Sequence, residues 1–335
     1  MTVLNNSNHY SATIDITTRC TLHCRHCRTE SVDYDLSLEQ IEIIAKKLQH
    51  PQRRVIFISG GEPLTRRDIV QVVGVLKKYV PCVCINTNSL LLTKTMLKQF
   101  ESVGLNYIQV SLDGLKEYHD YIRGEGTFQK TIERLHWISE SSDIKLHVSC
   151  CVSKFNLKNM DELAKCLLED EKLKIDILGY KRFIPKNEMA GKYNLGKDGL
   201  KIMLDNVRQL QSRYKGITAI ATDFPQKNIY QHQKSLDVME KYNLSCVGCS
   251  AATGGPCIRA DGSVSPCSLL YIISGNILTQ SLEEIYSSAV YQSLCKRELN
   301  GKCGDCKYKI TCGGCRAAAQ AIRGNYLDED PECFV

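Results

Sequence analysis

Compact apolar runs alternate with amphipathic stretches along the first two-thirds of the chain. Such runs are typical of buried parallel strands, and they occur at residues 12–16, 54–59, 80–87, 107–112, 145–152, 175–178 and 217–221. The segments between them predict helices at residues 38–51, 67–78, 93–103, 128–139, 161–168 and 200–214. About six strand–helix units follow one another, so the sequence predicts an α/β fold, a partial parallel (β/α)6 barrel.

Individual residues mark where these helices begin and end. Ser37 and Gln40 have the spacing of a capping box, and Pro51 limits the helix that they open. Gly104 suits the position that follows a helix C-terminus. The chain has no G-x-G-x-x-G after its first strand and no P-loop, which argues against nucleotide binding of those two kinds.

Unusual residues fall at the ends of four successive predicted strands. A cysteine-rich run at 20–27 follows the first strand, and the run GGEP at 60–63 follows the second. The run NTN at 86–88 ends the third strand, and SLDG at 111–114 ends the fourth. In parallel α/β folds the ligand site is built at the carboxyl ends of the strands. We therefore expect these four segments to form one site.

The character of the chain changes near residue 240. Beyond this point regular periodicity fades, and glycine, proline and cysteine become more frequent. We expect a strand–helix domain at residues 1–235 and a cysteine-rich domain at 236–335, with a helical linker at 231–242.

Composition narrows the class of protein. Among 335 residues, 43% are hydrophobic and 24% charged, which is ordinary for a globular protein. The net charge of +6 is mild and spread out, so we expect no nucleic-acid partner. The polar N-terminus is no signal peptide, and no apolar run could span a membrane. We expect a cytoplasmic protein whose 18 cysteines bind metal in a reducing, anaerobic setting.

The first three cysteines carry the most specific signal. Cys20, Cys24 and Cys27 are spaced C-x3-C-x2-C. A cubic four-iron cluster takes one thiolate per iron, so three protein ligands leave one iron open to bind a small molecule. A zinc knuckle is the alternative interpretation of this spacing.

This motif resembles that of the radical S-adenosylmethionine (SAM) enzymes. The resemblance implies that the open iron chelates SAM, whose reductive cleavage yields a 5′-deoxyadenosyl radical that abstracts a hydrogen atom. It also implies that the GGEP motif and the later strand ends hold SAM, with these contacts: Gly60, Gly61, Glu62, Pro63, Asn88, Ser111 and Asp113. Taken singly, the last three are as readily explained as turn residues. Ser89 departs from the glycine that is usual in the family.

The C-terminal cysteines are similar to the SPASM extension, which binds two auxiliary 4Fe–4S clusters. By this resemblance the distal cluster is held by Cys303, Cys306, Cys312 and Cys333, and the proximal one by Cys249, Cys267 and Cys315. The fourth proximal ligand is Cys257 or Cys246. One spacing departs from the pattern, because two residues separate Cys312 from Cys315 where three are commonest. A pair of zinc sites is the alternative, although five residues between C-x2-C pairs is short for zinc ribbons.

Other residues allow weaker hypotheses. Cys82 and Cys84 lie on one face of a strand and suggest packing. Cys150 and Cys151 face opposite ways, and whichever faces the barrel could donate a hydrogen atom. The basic run containing Lys181, Arg182 and Lys186 could bind a carboxylate-rich substrate or form a solvated loop.

The resemblance implies three 4Fe–4S clusters, SAM and a low-potential electron donor such as flavodoxin or ferredoxin. Relatives modify peptides by crosslinking, oxidation or epimerisation, or remodel tetrapyrrole side chains. The core starts near residue 12, so we expect no fused leader-peptide-binding domain. A peptide substrate would then need a separate leader-peptide-binding protein or would bind directly. Peptide maturation is favoured over tetrapyrrole modification by a small margin. A non-catalytic iron–sulfur scaffold is disfavoured, because a scaffold needs no SAM site.

Overall fold

A computed structural model describes residues 11–27, 33–51, 53–184, 190–222, 224–241, 244 and 246–335. Ten strands form one sheet in the order β10-β9-β8-β1-β2-β3-β4-β5-β6-β7. They are β1 (Ser11–Asp15), β2 (Val55–Ser59), β3 (Cys82–Thr87), β4 (Tyr107–Ser111), β5 (Lys145–Val152), β6 (Ile177–Arg182), β7 (Ala219–Thr222), β8 (Cys257–Ile258), β9 (Ser263–Ser265) and β10 (Gly275–Asn276).

Helices follow most of the parallel strands. Those of the first part of the chain are α1 (Leu38–Leu48), α2 (Ile69–Lys77), α3 (Lys94–Ser102), α4 (Lys116–Arg123), α5 (Thr127–Ser141), α6 (Met160–Leu168), α7 (Ala190–Tyr193), α8 (Gly196–Arg213), α9 (Lys227–Tyr230) and α10 (His232–Lys241). The later ones are α11 (Ser250–Thr253), α12 (Leu282–Tyr286), α13 (Ala289–Lys296), α14 (Gly301–Gly304) and α15 (Arg316–Arg323). Among the described residues, no helix is long and apolar enough to cross a membrane.

The strands β1 to β7 are all parallel and pair in sequence order. Their two faces differ. Alternate residues such as Ile56 and Ile58 are fully buried and belong to the main hydrophobic core. The residues between them, from Ser11 on β1 to Ala221 on β7, line a single cavity. A sheet whose first and seventh strands line the same cavity must curve around it, which confirms the predicted partial barrel.

The C-terminal region extends this sheet. Strand β8 pairs in parallel with β1, and β9 and β10 continue the sheet as antiparallel strands. The sheet therefore runs across the expected boundary at residue 235. This pairing depends on a contact between residues far apart in the chain, and the local pattern did not indicate it.

Most predicted elements are confirmed. Ser37 and Gln40 form a capping box at the start of α1, and Gly104 has a φ of 75° just after α3. Helix α4, which the pattern did not predict, is short and strongly polar outside, with His119 and Ile122 as its buried residues. Strand β6 runs to Arg182 rather than ending at residue 178, because it pairs with β5 along its full length.

Candidate active site and auxiliary metal centres

The loop after β1 brings the three N-terminal cysteines together. Burial raises the pKa of the Cys24 thiol to about 11, against the opposing charge of Arg123, and Cys27 and Cys20 add to the shift. The three thiols are therefore near enough to interact electrostatically. The Cys27 amide donates to the Cys24 carbonyl at 2.9 Å, which tightens the turn between them. Cys20 and Cys27 are exposed, and Cys24 is half-buried.

The glycine pair after β2 holds this loop. A side chain at Gly60 would overlap the carbonyl oxygen of Thr17, and one at Gly61 that of Arg19. The Gly61 amide donates to the Thr17 carbonyl at 2.8 Å. Only glycine allows the start of the cysteine loop to lie directly on this backbone, where Gly60 has a φ of 133°. The close approach observed here is between two backbone segments of the chain.

The Glu62 carboxylate links the ends of β2 and β3. It accepts hydrogen bonds from the Thr87 hydroxyl at 2.7 Å, the Asn88 amide at 2.7 Å and the Leu64 amide at 3.0 Å. Glu62 is buried, which raises its pKa. Its own amide donates to the Arg19 carbonyl at 2.7 Å, and Pro63 begins a short 3-10 turn. Glu62 therefore connects the cysteine loop to two strand ends.

The end of β3 reaches the cysteine loop. The Asn88 side-chain amide lies 3.9 Å from the Cys20 sulfur and 3.5 Å from the Thr21 hydroxyl. Ser89 follows with a φ of 66°, in the left-handed region that favours glycine, and its hydroxyl is buried without a hydrogen-bond partner among the described residues. The departure from the family pattern at Ser89 thus falls at a residue whose backbone conformation favours glycine.

Asp113 follows the end of β4 and is fully buried, and both of its carboxylate oxygens accept hydrogen bonds. Its carboxylate accepts from His26 at 2.9 Å, Arg123 at 2.7 Å and the Cys151 amide at 2.9 Å. Burial alone would raise the pKa of Asp113, but the charges of Arg123 and His26 hold it well below its usual range. Asp113 thereby fastens the cysteine loop to α4 and β5. Ser111 is half-buried at the same strand end.

The barrel interior holds a cavity of about 690 Å³. A ladder of polar side chains crosses its wall, since Asn86 is in register with Gln109 and Gln109 with His147. Two lysines, Lys181 and Lys227, also face it, and the described lining contains no aspartate or glutamate. The cavity therefore has a positive lining with many hydrogen-bonding groups.

Leftover cysteines of the barrel separate into two environments. Cys82 and Cys84 lie on the strand face that lines the cavity; Cys84 is buried there, as expected of a packing residue, and Cys82 is half-buried. Cys150 is buried in the hydrophobic core, and burial raises its pKa well above the ordinary value. Cys151 lies on the same face of β5 as His147, so it is the barrel-facing member of its pair. It packs beside the apolar cluster of Ile122, Phe183 and Tyr193.

The basic run at the end of β6 does not act as one group. Lys181 faces the cavity, but Arg182 is fully buried and points elsewhere, and Lys186 is outside the described residues. The Arg182 guanidinium is bidentate on Asp330 at 2.9 and 3.0 Å and donates through Nε to Glu332 at 2.6 Å. The expectation that Arg182 binds a substrate is therefore wrong, because its charge is already neutralised inside the fold.

The C-terminal thiols fall into two groups. In the distal group, burial raises the pKa of Cys312, and Cys333 and Cys303 contribute to the shift. The pKa of Cys333 is likewise raised by burial, with contributions from Cys303 and Cys306. These four cysteines are therefore neighbours, as expected for one cluster.

The proximal group joins the barrel. Burial raises the pKa of Cys315 to about 12, and its neighbour Cys249 adds to it. Burial also raises the pKa values of Cys267 and of Cys257 on β8. Cys249 adds to the shift of Cys267, and Cys267 adds to the shift of Cys257. Cys257 and Cys267 also line the barrel cavity. The Cys246 thiol donates to the Cys295 carbonyl at 3.7 Å, and Cys246 packs in one cluster with Cys249, Cys267 and Cys315. Both Cys257 and Cys246 therefore lie near the other proximal thiols.

Backbone amides donate to three of the distal thiols. The Tyr308 amide lies 3.4 Å from the Cys306 sulfur, the Gly314 amide 3.5 Å from the Cys312 sulfur and the Asp330 amide 3.5 Å from the Cys303 sulfur. Hydrogen bonds of this kind orient sulfur ligands and tune the metal centre that they hold.

Sequence reasoning missed Arg123, Asp330 and Arg259. Arg259 forms an ion pair with Asp15 at 3.4 Å. Cys257 lies close enough to Arg259 to help raise the pKa of this arginine against the effect of burial. Arg259 therefore connects β1 with the proximal cysteines. In the sequence these residues could be noticed only as charges near a cysteine or near a polar strand end. The groups that they pair with are distant in the chain, so only the fold identifies them.

Comparison with known proteins agrees with this geometry. Residues 14–167 match the model of the radical SAM superfamily. Residues 249–307 match SPASM, described as an iron–sulfur cluster-binding domain.

Similar whole proteins are of two kinds. An AdoMet-dependent heme synthase of Methanosarcina barkeri is 30% identical over 340 residues, 96% of this chain and 95% of that protein. The mycofactocin maturase MftC of Mycolicibacterium smegmatis is 26% identical, with 96% of this chain and 81% of that protein covered. Among solved structures, native anSMEcpe with bound AdoMet aligns with a TM-score of 0.75 at 18% identity, over 97% of this chain and 94% of that one. At that identity the structural likeness shows the fold alone.

Proposed function

The chain belongs to the radical SAM superfamily and carries a SPASM domain, and from this premise we propose that it modifies a carboxylate-bearing tetrapyrrole bound in its barrel cavity. It is an enzyme with SAM and 4Fe–4S clusters as cofactors. The observation that carries the choice of substrate is the cavity itself, whose lining has two lysines and a histidine but no carboxylate among the described residues. Such a lining attracts an anionic ligand.

The residues at the strand ends would hold the cofactors. When bound, SAM supplies the 5′-deoxyadenosyl radical that removes a hydrogen atom from the substrate. Cys20, Cys24 and Cys27 would hold the first cluster and leave one iron free for SAM. The proposal that Asn88 contacts SAM is supported by its side-chain amide, which lies 3.9 Å from the Cys20 sulfur. The other predicted contacts are Gly60, Gly61, Glu62, Pro63, Ser111 and Asp113. The bonds of Glu62 and Asp113 also keep the cysteine loop in place.

The cavity is large enough for a substrate of this class. Ligand pockets commonly measure roughly 300–1,000 Å³, and this one measures about 690 Å³. Lys181, 3.4 Å from the Gln109 side chain, is positioned to bind a carboxylate, and the polar ladder of Asn86, Gln109 and His147 offers hydrogen bonds. The relative with 30% identity over nearly the whole of both chains is described as a heme synthase.

Two auxiliary clusters would complete the enzyme. The distal one would be held by Cys303, Cys306, Cys312 and Cys333, and the proximal one by Cys249, Cys257, Cys267 and Cys315. Because Cys257 and Cys267 line the cavity, the proximal cluster would adjoin the substrate. Anaerobically reconstituted protein should therefore contain about twelve irons per chain. Four irons, or stoichiometric zinc, would contradict this assignment.

The test of the substrate class is binding and turnover with iron coproporphyrin. We expect a saturable change in the porphyrin absorbance and an increase in 5′-deoxyadenosine formation when it is added to reduced enzyme and SAM. Lys181→Gln should weaken binding by about tenfold, the equivalent of one charged contact of ~1.4 kcal/mol, while Lys98→Gln, on α3, should not. An unchanged absorbance and no stimulation would reject a tetrapyrrole substrate.

A peptide is the second candidate substrate. The mycofactocin maturase resembles this chain over 96% of its length, and peptide maturation is the function that the sequence favoured. In that case 5′-deoxyadenosine formation would respond to a precursor peptide encoded beside the gene and not to iron coproporphyrin. The triple variant Cys20→Ala, Cys24→Ala, Cys27→Ala would abolish SAM cleavage under either proposal while keeping about eight irons.

A further inference from the structure

We propose that an exposed patch of aromatic and basic residues beside the cysteine loop is the docking surface for an acidic one-electron carrier protein. We call it the Arg25 patch, and its exposed residues are Arg25, Tyr121, Lys154, Phe155 and Lys192, with the buried ring of Tyr193 packed beneath them. The inference rests on the proposed function, because that chemistry requires one electron to be delivered to the cluster held by the N-terminal cysteines.

The patch is continuous with the cysteine loop. Arg25 lies between Cys24 and Cys27, and its amide donates to the Ile122 carbonyl at 2.9 Å. Its side chain donates to the Tyr121 carbonyl at 2.8 Å, and the guanidinium carbon stands 4.3 Å from the centre of the Tyr121 ring. A protein bound to Tyr121 would therefore be separated from the cluster ligands by little more than one side chain.

Aromatic rings form the centre of the patch. Phe155 is 46% exposed and Tyr121 is 39% exposed, an unusual degree of exposure for large rings placed side by side. Their centroids are 6.2 Å apart, and Phe155 also packs on Tyr193 at 4.9 Å. Tyr121 and Tyr193 share a hydrogen bond of 3.0 Å between their hydroxyls. Rings held rigidly in this way and bordered by cations are the composition typical of the centres of protein interfaces.

The charge of the patch selects the partner. Arg25, Lys154 and Lys192 are exposed, and none of them forms an ion pair within the described residues. Lys192 stands 5.5 Å from the Tyr193 ring, and the Lys154 amide donates to the Tyr193 carbonyl at 3.2 Å. Three exposed cations that pair with no carboxylate among the described residues, set around apolar rings, are complementary to an acidic protein surface. The reduced carrier would give up one electron, and the cluster that Cys20, Cys24 and Cys27 would hold would accept it.

The experiment measures binding and reduction separately. Oxidised flavodoxin, an acidic flavin carrier, is titrated calorimetrically into the whole protein, and its reduced form is mixed with it in stopped flow. The double variant Lys154→Glu, Lys192→Glu should raise the Kd and lower the second-order rate constant by on the order of tenfold at low ionic strength. This difference should shrink at about 1 M salt, where the Debye length falls to about 3 Å. Phe155→Ala should weaken binding at all salt concentrations.

Controls separate this proposal from the proposed function. Lys98→Glu reverses an exposed lysine on α3, away from the patch, and should leave binding close to that of the wild type. SAM cleavage driven by dithionite needs no docked carrier, so it should be unchanged in the patch variants. If the wild-type protein cleaves no SAM with dithionite, the proposed function is refuted and the docking surface is not. Unaltered flavodoxin binding by the double variant, or an equal loss with Lys98→Glu, would overturn the inference. So would a patch variant that changes only the KM of substrate, which would identify the patch as a substrate surface.

Discussion

Replacing Arg182 with methionine should release the C-terminal segment from the barrel. Arg182, at the end of β6, is fully buried and makes its hydrogen bonds to Asp330 and Glu332. Burial alone would raise the pKa of Asp330, but the charge of Arg182 lowers this pKa to about 2. The same Asp330 carboxylate accepts from the Cys315 amide at 2.9 Å, and the Asp330 amide points at the Cys303 sulfur. One guanidinium therefore orders residues of both auxiliary cysteine groups.

The magnitude follows from what the substitution leaves behind. Methionine keeps much of the volume but leaves two carboxylates buried without their cation. Removing one partner of a buried ion pair costs about 3–5 kcal/mol, and here two carboxylates lose the same partner, so we expect ~5 kcal/mol. Domains are stable by about 5–15 kcal/mol in total, so this loss is a large part of the whole. Arg182→Lys keeps a charge but loses the bidentate geometry, and we expect about half the effect.

The assay is anaerobic urea unfolding of the reconstituted protein, with iron counted per chain. Arg182→Met should lower the midpoint strongly and retain about four of about twelve irons, because the N-terminal cysteines lie elsewhere. The control is Arg213→Met, which breaks a surface pair with Asp161 and should change little. If Arg182→Met unfolds like the wild type with full iron content, then this ion-pair network does not hold the auxiliary region together.

Three further substitutions test the site. Glu62→Gln replaces an acceptor of three hydrogen bonds by an amide with one accepting oxygen, and should cost about 1–3 kcal/mol and reduce iron at the first cluster, as measured by urea unfolding and iron analysis. Ser89→Gly should raise the free energy of unfolding by about 1 kcal/mol, and with it the urea midpoint, because glycine relieves the left-handed backbone and removes a buried hydroxyl; a lower midpoint would show that the conformation is not strained. Cys257→Ala should lose about four irons, whereas Cys246→Ala should keep all of them, and the reverse result would exchange the two assignments.

The order of strands and helices could be predicted from the sequence, because apolar periodicity and caps such as Ser37 and Gln40 act within a few residues. The spacing of Cys20, Cys24 and Cys27 is also a local property of the chain, and the comparisons confirm the family that this motif suggested. The barrel strands were predicted from such local signals, whereas the pairing of β8 with β1 was not.

The roles of the charged residues, by contrast, depend on contacts between segments that are distant in the chain. Arg182, expected to face a substrate, is neutralised by carboxylates about 150 residues away in the chain, and Asp113 is shared by His26, Arg123 and the Cys151 amide. Likewise, whether Cys84 faces a core or a cavity depends on how the sheet curves. The free energy of a buried charge depends on partners that are distant in sequence, and no local pattern records which partners the fold will bring together.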